Sequence, residues 1–215
     1  TLDENIATVT DAGLVTGQNY GTTKIEVSTN KLPNKVLIDV QVLRKNDKTI
    51  AKTVSGTDFT LALKADGTVW SWGYNGYGQL GIGNTETKNR PTKTNIYNSK
   101  DETQSTYAID VAAGYSHTLV LKSDGTVWAA GYNEYGQLGD SSTTNTSEFV
   151  QVTGIPEKVI AITAGGHSSY ALTESGKVYG WGSNDDGELG QANKSTDPVT
   201  YPCLLYTSPS PRDTR

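Results

Sequence analysis

The two histidines, His117 and His167, are the only imidazoles in the chain and the first candidates for acid–base chemistry. A catalytic histidine needs an orienting partner and a nucleophile within hydrogen-bond reach. The sequence has no Gly-x-Ser-x-Gly nucleophile elbow, and its single cysteine, Cys203, lies near the C-terminus. Phe59 and Ser168 fill the position of His117 in two related segments. We therefore expect His117 to pack or hydrogen-bond within its own structural unit and to have no catalytic role.

Two glycine-rich motifs could in principle bind a ligand. Residues 76–81 match the Gly-x-Gly-x-x-Gly dinucleotide fingerprint, but that chemistry needs a helix starting at the glycines, and a polar stretch ending in Pro91 follows instead. Residues 184–188, Asn-Asp-Asp-Gly-Glu, offer oxygen ligands of the kind calcium prefers. The related segment 75–79 contains no carboxylate. The sequence thus predicts no catalytic, cofactor or metal site, and both motifs are interpreted as loop corners.

Aromatic side chains are the remaining candidates for binding. Trp70 and Trp72 share one face of a strand, because side chains alternate along it. A ligand platform could also include Trp128, Tyr179 and Trp181. Recurrence of these residues at fixed positions favours a place in the core. Tyrosine combines a large contact area with a polar group at low entropic cost. The predicted binding surface therefore consists of the loop 95–106 and four tyrosines at variable positions: Tyr74, Tyr77, Tyr132 and Tyr135.

A repeat of about 50 residues must position these side chains. Segments 66–81 and 124–139 are identical at 13 of 16 positions, and 175–190 follows the same pattern. The first repeat interval is seven residues longer than the second, and we place this insertion in the polar loop 95–106. The positions predicted to be structural are nine glycines and one histidine: Gly67, Gly125, Gly176, Gly73, Gly131, Gly182, Gly81, Gly139, Gly190 and His117.

Each repeat predicts four β-strands. Asp66-Gly67 and Asp124-Gly125 lie between β-rich runs, which is the pattern of a tight hairpin, and Gly176 takes the same position in the third repeat. We expect these three glycines to have positive φ. A third strand precedes each hairpin, and a shorter fourth strand follows the Gly-Gln-Leu-Gly corner. Four strands in about 50 residues are typical of a β-propeller blade.

Composition excludes several classes of protein. The chain has 215 residues, a formal net charge of −5 and no apolar run as long as a membrane helix requires. An acidic chain gains little from counterion release on nucleic acid, so nucleic acid is not an expected partner. The single cysteine excludes an internal disulfide framework.

The repeats resemble those of the regulator of chromosome condensation family. The match rests on segments 114–118, 121–128 and 131–139 and on their counterparts, over about residues 50–200. The resemblance implies a ring of seven blades, of which three are present here, so the missing blades of a parent chain are expected partners. The family's histidine in each blade occurs only as His117, and Ala130 replaces the aromatic residue before the blade glycine.

The N-terminal segment lacks the repeat. Residues 5–43 resemble the C-terminal half of a group 2 bacterial immunoglobulin-like domain, through the runs 6–10, 13–17 and 21–27. The predicted fold is therefore all-β, a partial β-propeller of three four-stranded blades after a truncated immunoglobulin-like β-sandwich module. The predicted divisions are the module at 1–44, a linker at 45–50, blades at about 51–100, 107–155 and 158–202, and a non-native or disordered tail at 203–215.

The resemblance favours a non-enzymatic binding module of a secreted or cell-surface bacterial protein, which recognises a protein or carbohydrate partner through its propeller loops. Two alternatives remain at this stage. One is guanine-nucleotide exchange or chromatin regulation, as in the best-known family member, and the other is an enzyme built on a propeller scaffold. We also expect the chain to self-associate, because the outer blades would expose apolar positions such as Trp70, Val178 and Tyr179.

Overall fold

The computed structural model describes residues 4, 7–9, 15–17, 21–29, 32–42, 49–96, 106–191 and 195–206. The chain divides into two compact units, Thr1–Asp47 and Lys48–Arg215. Throughout these described ranges the regular structure is β-strand, which confirms the all-β prediction. The part of the chain that is described contains no helix capable of crossing a membrane.

The first unit contains two antiparallel strand pairs. β1 (Ala7–Val9) pairs with β2 (Val15–Gly17), and β3 (Gly21–Thr29) pairs with β4 (Leu32–Val42). They form separate two-stranded sheets. β1, β2 and β3 overlap the runs 6–10, 13–17 and 21–27 that carry the resemblance, but an immunoglobulin-like sandwich is not shown by these pairs.

The second unit contains three four-stranded antiparallel sheets, which we call blades 1, 2 and 3. Strands that are consecutive in sequence are neighbours in each sheet. Blade 1 consists of β5 (Lys52–Ser55), β6 (Phe59–Leu63), β7 (Val69–Gly73) and β8 (Lys88–Lys93). Blade 2 consists of β9 (Ala108–Ala113), β10 (His117–Lys122), β11 (Val127–Gly131) and β12 (Thr146–Gln151). Blade 3 consists of β13 (Val159–Gly165), β14 (Ser168–Thr173), β15 (Val178–Asn184) and β16 (Ser195–Tyr206).

The predicted hairpin turns are confirmed. The Asp66 carboxylate accepts hydrogen bonds from the backbone N–H and the hydroxyl of Thr68, at 2.9 and 2.6 Å. Gly67, Gly125 and Gly176 have φ values of 79°, 87° and 82°. Because glycine has no Cβ, it adopts this conformation without steric cost. The other six repeat glycines also have positive φ.

Two hydrophobic cores lie between successive blades. The first joins blade 1 residues such as Leu61 and Leu80 to blade 2 residues such as Val120. The second joins Leu119 of blade 2 to Trp181 of blade 3. Residues 119 and 120 point to opposite sides of β10, so the strand period of two supplies one core on each side of blade 2.

The outward sides of blades 1 and 3 differ from the sequence prediction at one position. Trp181 is fully buried against blade 2, and Tyr179 lies beside it in the same core. The expectation that Tyr179 would be uncovered is therefore wrong, because β15 turns this residue toward blade 2. Trp70, Trp72 and Val178 are only partly buried. These three side chains lie on the outward sides.

Several predicted boundaries also need correction. The fourth strands are not shorter than the others, since β8 and β12 each have six residues and β16 has twelve. β16 includes Cys203–Tyr206, which the sequence assigned to the tail, because Cys203 pairs with Gly180 of β15. Residues 207–215 lie outside the described residues.

The predicted linker and the predicted insertion lie partly outside the described residues. Residues 45–48 of the linker and 97–105 of the insertion are not among the described residues. Thr49 is buried, and its hydroxyl donates to the Ala108 carbonyl at 2.9 Å, so it belongs to the blades. Ile96, expected in a polar loop, is buried in the first core.

Candidate functional site: an aromatic row at one end of the blades

The first connection of each blade and its long third connection lie at the same end, because the strands alternate in direction. We call this the tyrosine end; the Asp-Gly turns mark the opposite, hairpin end. Backbone hydrogen bonds join the blades here. The Thr57 N–H donates to the Tyr115 carbonyl at 3.2 Å, and the Tyr115 N–H donates to the Gly166 carbonyl at 2.8 Å. These bonds therefore fix the first connections of the three blades next to one another.

A buried asparagine shapes the third connection of blade 1. Asn75 accepts from the Leu80 N–H at 2.9 Å and donates to the carbonyls of Asn84 and Glu86. The Gln79 side chain accepts from the Tyr77 N–H at 3.1 Å. These bonds satisfy backbone groups that a loop would otherwise leave unpaired, so the loop holds Tyr77 in a fixed place.

The same side-chain hydrogen bonds to the loop backbone recur in the other blades. Asn133 accepts from the Leu138 N–H at 2.9 Å, and Gln137 accepts from the Tyr135 N–H at 3.0 Å. In blade 3 Asn184 accepts from the Leu189 N–H at 3.1 Å. The repeated Asn and Gln positions therefore fix loop shape, while the residues between them are free to vary.

These loops bring six aromatic rings together across the three blades. We call them the aromatic row. Tyr77 and Tyr132 have ring centroids 4.8 Å apart although they belong to different blades. Tyr132 lies 5.5 Å from His167 of blade 3. His167 also stacks on Tyr135, at 4.7 Å and an interplanar angle of 17°. The members of the row are Tyr74, Tyr77, Tyr115, Tyr132, Tyr135 and His167.

The row is accessible at its margins and more buried at its centre. Tyr74 and Tyr115 expose 44% and 56% of their surface, whereas Tyr132 and His167 are half-buried. Burial, together with the nearby Glu134 carboxylate, raises the pKa of Tyr132 to about 12. Burial also lowers the pKa of His167, against the opposing effect of Asp185 and Glu188. Burial therefore favours the uncharged form of both central rings.

The loops around the row are acidic. The described connections at this end, 56–58, 74–87, 114–116, 132–145, 166–167 and 185–191, contain carboxylates but no lysine or arginine. Some of these carboxylates serve the loops themselves, as when Glu188 accepts from the Ser183 hydroxyl at 2.6 Å. The acidic residues are Asp58, Glu86, Glu134, Asp140, Asp185, Asp186 and Glu188.

The structure places all four tyrosines predicted from the sequence in this row. Sequence reasoning missed Tyr115 and His167, which lie in the short first connections of blades 2 and 3. Each directly follows a glycine that precedes the second strand of its blade, at 114 or 166. That spacing could have identified them as neighbours at the same end.

His117 differs from the prediction in its partner. Its Nε2 lies 2.9 Å from the Ser169 hydroxyl, which belongs to blade 3, so the bond joins two blades and does not stay within one. Ser169 donates to the Gln137 carbonyl at 2.8 Å, so His117 Nε2–H is the donor to Ser169. Complete burial lowers the pKa of His117 to about 3, with a smaller effect of His167. A neutral imidazole that joins two blades fits a structural role.

The remaining motifs have structural explanations. After Gly81 the chain continues in a loop to β8, and no helix begins there to bind a dinucleotide. In the candidate calcium motif, the Asn184 side chain accepts from Leu189, and Glu188 accepts from the Asp186 N–H. In the described ranges no three or more His, Cys, Asp or Glu side chains are placed so that they could hold one metal ion. Trp181, from the candidate platform, donates to the Gln137 carbonyl inside the core.

The sequence matches known repeat families. A profile described as "Regulator of chromosome condensation (RCC1) repeat" matches residues 66–121, 124–172 and 175–213. A second profile of the same description matches 50–79, 108–137 and 159–188. Together the three matches of the first profile cover more than half of the chain.

The relatives that share this region are much longer proteins. The human E3 ubiquitin-protein ligase HERC2 is 36% identical over 152 residues, which are 70% of this chain and 3% of the ligase. The dog X-linked retinitis pigmentosa GTPase regulator is 33% identical over 69% of this chain and 14% of its own length. The ultraviolet-B receptor UVR8 of Arabidopsis thaliana is 27% identical over 87% of this chain and 41% of the receptor. The chain therefore spans less than half of each relative.

Solved structures support the fold. Human WBSCR16 aligns with a TM-score of 0.63 at 24% identity, over 80% of this chain and 44% of that structure. Prp20p of Saccharomyces cerevisiae, described with its binding to Gsp1p and histones, aligns with a TM-score of 0.61 at 20% identity, over 73% of this chain and 38% of that structure. At these identities the likeness concerns the fold alone.

Proposed function

Because the chain belongs to the regulator of chromosome condensation repeat family, we propose that it is a non-enzymatic protein-interaction module whose binding surface is the aromatic row. One observation carries the proposal: the loops of three blades converge to place six rings side by side at one end. Aromatic side chains, tyrosine especially, are enriched where proteins bind each other. Rigid blades with variable loops suit recognition.

The backbone bonds of the tyrosine end favour a preformed site. The rings rest on loops held by buried Asn75 and Asn133 and on turns linked between blades. A preformed surface loses little conformational entropy on binding. A carbohydrate is the alternative partner, but a sugar stacks best on a flat platform. Of the six ring pairs only Tyr135 and His167 are close to parallel.

A random peptide library tests the proposal. Peptides displayed on phage are selected on the immobilised 215-residue chain and counter-selected on the variant Tyr77→Ala/Tyr132→Ala. The matched control is Tyr201→Ala/Tyr206→Ala, which removes two exposed tyrosines outside the row. We expect peptides that bind the native chain and the control alike and bind the row variant at least tenfold more weakly. If no selected peptide distinguishes the row variant from the control, the proposal is wrong.

We also propose that the chain comes from a secreted or cell-surface bacterial protein, with residues 1–44 forming part of an immunoglobulin-like module. The support is the resemblance of segments 6–10, 13–17 and 21–27 to such modules, together with the strand pairs β1–β2 and β3–β4. An antibody against the blades should label intact source cells as strongly as permeabilised cells. Labelling that requires permeabilisation would contradict this location.

A further inference from the structure

We propose that the aromatic row binds an extended segment of a partner protein that carries arginine at alternate positions. This inference rests on the proposed function and specifies its partner. Three features of the tyrosine end support it: the ring faces, the charge around them and the length of the row.

The rings offer sites for cations. The face of a tyrosine ring attracts a guanidinium or ammonium group within about 6 Å of its centroid, and the attraction is stronger where water is partly excluded. Tyr132 and Tyr135 are half-buried, and Tyr132 lies against two other rings of the row, Tyr77 and His167. Arginine is favoured over lysine because its planar guanidinium stacks on an aromatic ring and is less strongly hydrated.

The charge of the loops at the tyrosine end also favours a cationic partner. The described loops of the tyrosine end contain carboxylates and no lysine or arginine; Lys88, the first residue of β8, pairs with Glu86. Glu134 and Asp185 are exposed beside the row. The hairpin end contains both signs, with ion pairs such as Lys64–Asp66 and Lys177–Glu157. A cationic segment is therefore attracted to the tyrosine end specifically, and an acidic one is repelled.

The row has the length of a short peptide. From Tyr74 through Tyr77, Tyr132 and His167 to Tyr115, successive centroids lie 4.8–6.1 Å apart. The row is therefore at most about 22 Å long, which about six extended residues span. Alternate side chains of an extended segment point to the same side. Arginines at every second residue would thus face the rings together.

Four defined eight-residue peptides test the inference: alternating Gly-Arg, Gly-Lys, Gly-Gln and Gly-Glu. Each is titrated over the 215-residue chain immobilised at low density, with surface plasmon resonance as the readout. We expect Gly-Arg to bind severalfold more tightly than Gly-Lys, and Gly-Gln and Gly-Glu not to bind. Tyr77→Ala/Tyr132→Ala should weaken Gly-Arg at least tenfold.

A matched pair of charge variants separates site binding from general attraction. Glu134→Gln/Asp185→Asn removes two exposed carboxylates at the row, and Asp124→Asn/Glu174→Gln removes two at the hairpin end. We expect the first variant to weaken Gly-Arg binding severalfold and the second to leave it unchanged. Equal losses in the two variants, or binding of Gly-Arg that survives loss of the rings, would overturn the inference.

The library and the defined peptides together distinguish the two proposals. Row-dependent library peptides that are neutral or acidic would keep the proposed function and overturn the arginine preference. Row-dependent binding of a neutral glucan hexasaccharide without peptide binding would overturn both. Absence of any row-dependent ligand would also overturn both.

Discussion

Gly125 shows how a repeated residue fixes a turn. Its φ is 87°, and a Cβ added there would lie 2.8 Å from Cβ of Lys158 on the next blade. Gly125→Val should lower the free energy of unfolding by about 1–3 kcal/mol through backbone strain, with crowding added. Gly165→Ala is the control, since nothing lies within 4 Å of its added Cβ. Urea denaturation of both variants measures this, and equal stability would contradict the assignment of the turn.

His117 makes the stability of the blades depend on pH. In the folded chain burial lowers its pKa to about 3, whereas in the unfolded chain the pKa is about 6.5. Below pH 6.5 only the unfolded chain takes up this proton. The stabilisation is complete above pH 6.5 and is lost as pH falls toward 3.

The pH effect is measured by comparing unfolding at pH 7.5 and 4.5. We expect the native chain to lose about 2–3 kcal/mol more than His117→Gln between these values. The carboxylates titrate in both proteins and so cancel in the comparison. A parallel loss in both proteins would show that His117 is not buried as a neutral imidazole.

The turn glycines and the four tyrosines of the row could be located from the sequence. The glycines recur at fixed positions of the repeat, and the tyrosines lie in the loops between them. Both follow from the local sequence, because turn conformation depends on neighbouring residues. The partner of His117 was not accessible, since Ser169 lies 52 residues away and the bond depends on how blades 2 and 3 pack. The glycine before His167 could have placed it at the tyrosine end, but its contacts with Tyr132 and Tyr135 depend on how blades 2 and 3 pack.

At the scale of the element, blade packing gives one repeat position two different environments. Trp181 of β15 is fully buried and donates to the Gln137 carbonyl of blade 2. Trp72 of β7 holds the same position in blade 1 but is only partly buried. The period of two predicted which residues share a side of a strand, but it could not say which side meets a neighbouring blade.

This difference predicts unequal effects of the same substitution. Trp181→Ala should cost about 3–5 kcal/mol, because it leaves a cavity and an unpaired carbonyl lone pair in the core. Trp72→Ala should cost about 1 kcal/mol. Chemical denaturation of the two variants in parallel checks this. Equal losses would contradict the packing of blade 3 on blade 2.

At the scale of the whole molecule, the repeat predicted three blades, and the β-rich runs predicted four strands in each. The ends of the strands were harder to predict. β16 continues through Cys203–Tyr206 because it pairs with β15, although proline-rich sequence follows soon after. A strand ends where pairing ends, and composition alone does not report pairing.

The outward sides of blades 1 and 3 predict self-association of the 215-residue chain. Trp70, Trp72 and Val178 lie there only partly buried, and apolar sides of this kind promote association. Size-exclusion chromatography with light scattering should show species larger than 23.0 kDa at micromolar concentration. A stable monomer that melts cooperatively would contradict this expectation.

The binding role of the aromatic row is tested most directly by removing its tyrosines one at a time. The dissociation constant of one row-selected peptide is measured for Tyr132→Ala, Tyr74→Ala and Tyr201→Ala. Tyr132 lies at the centre of the row, Tyr74 at its margin and Tyr201 outside it, in β16. We predict a loss of at least tenfold for Tyr132→Ala, a smaller loss for Tyr74→Ala and no change for Tyr201→Ala. Equal effects of all three substitutions would contradict the row as the binding surface.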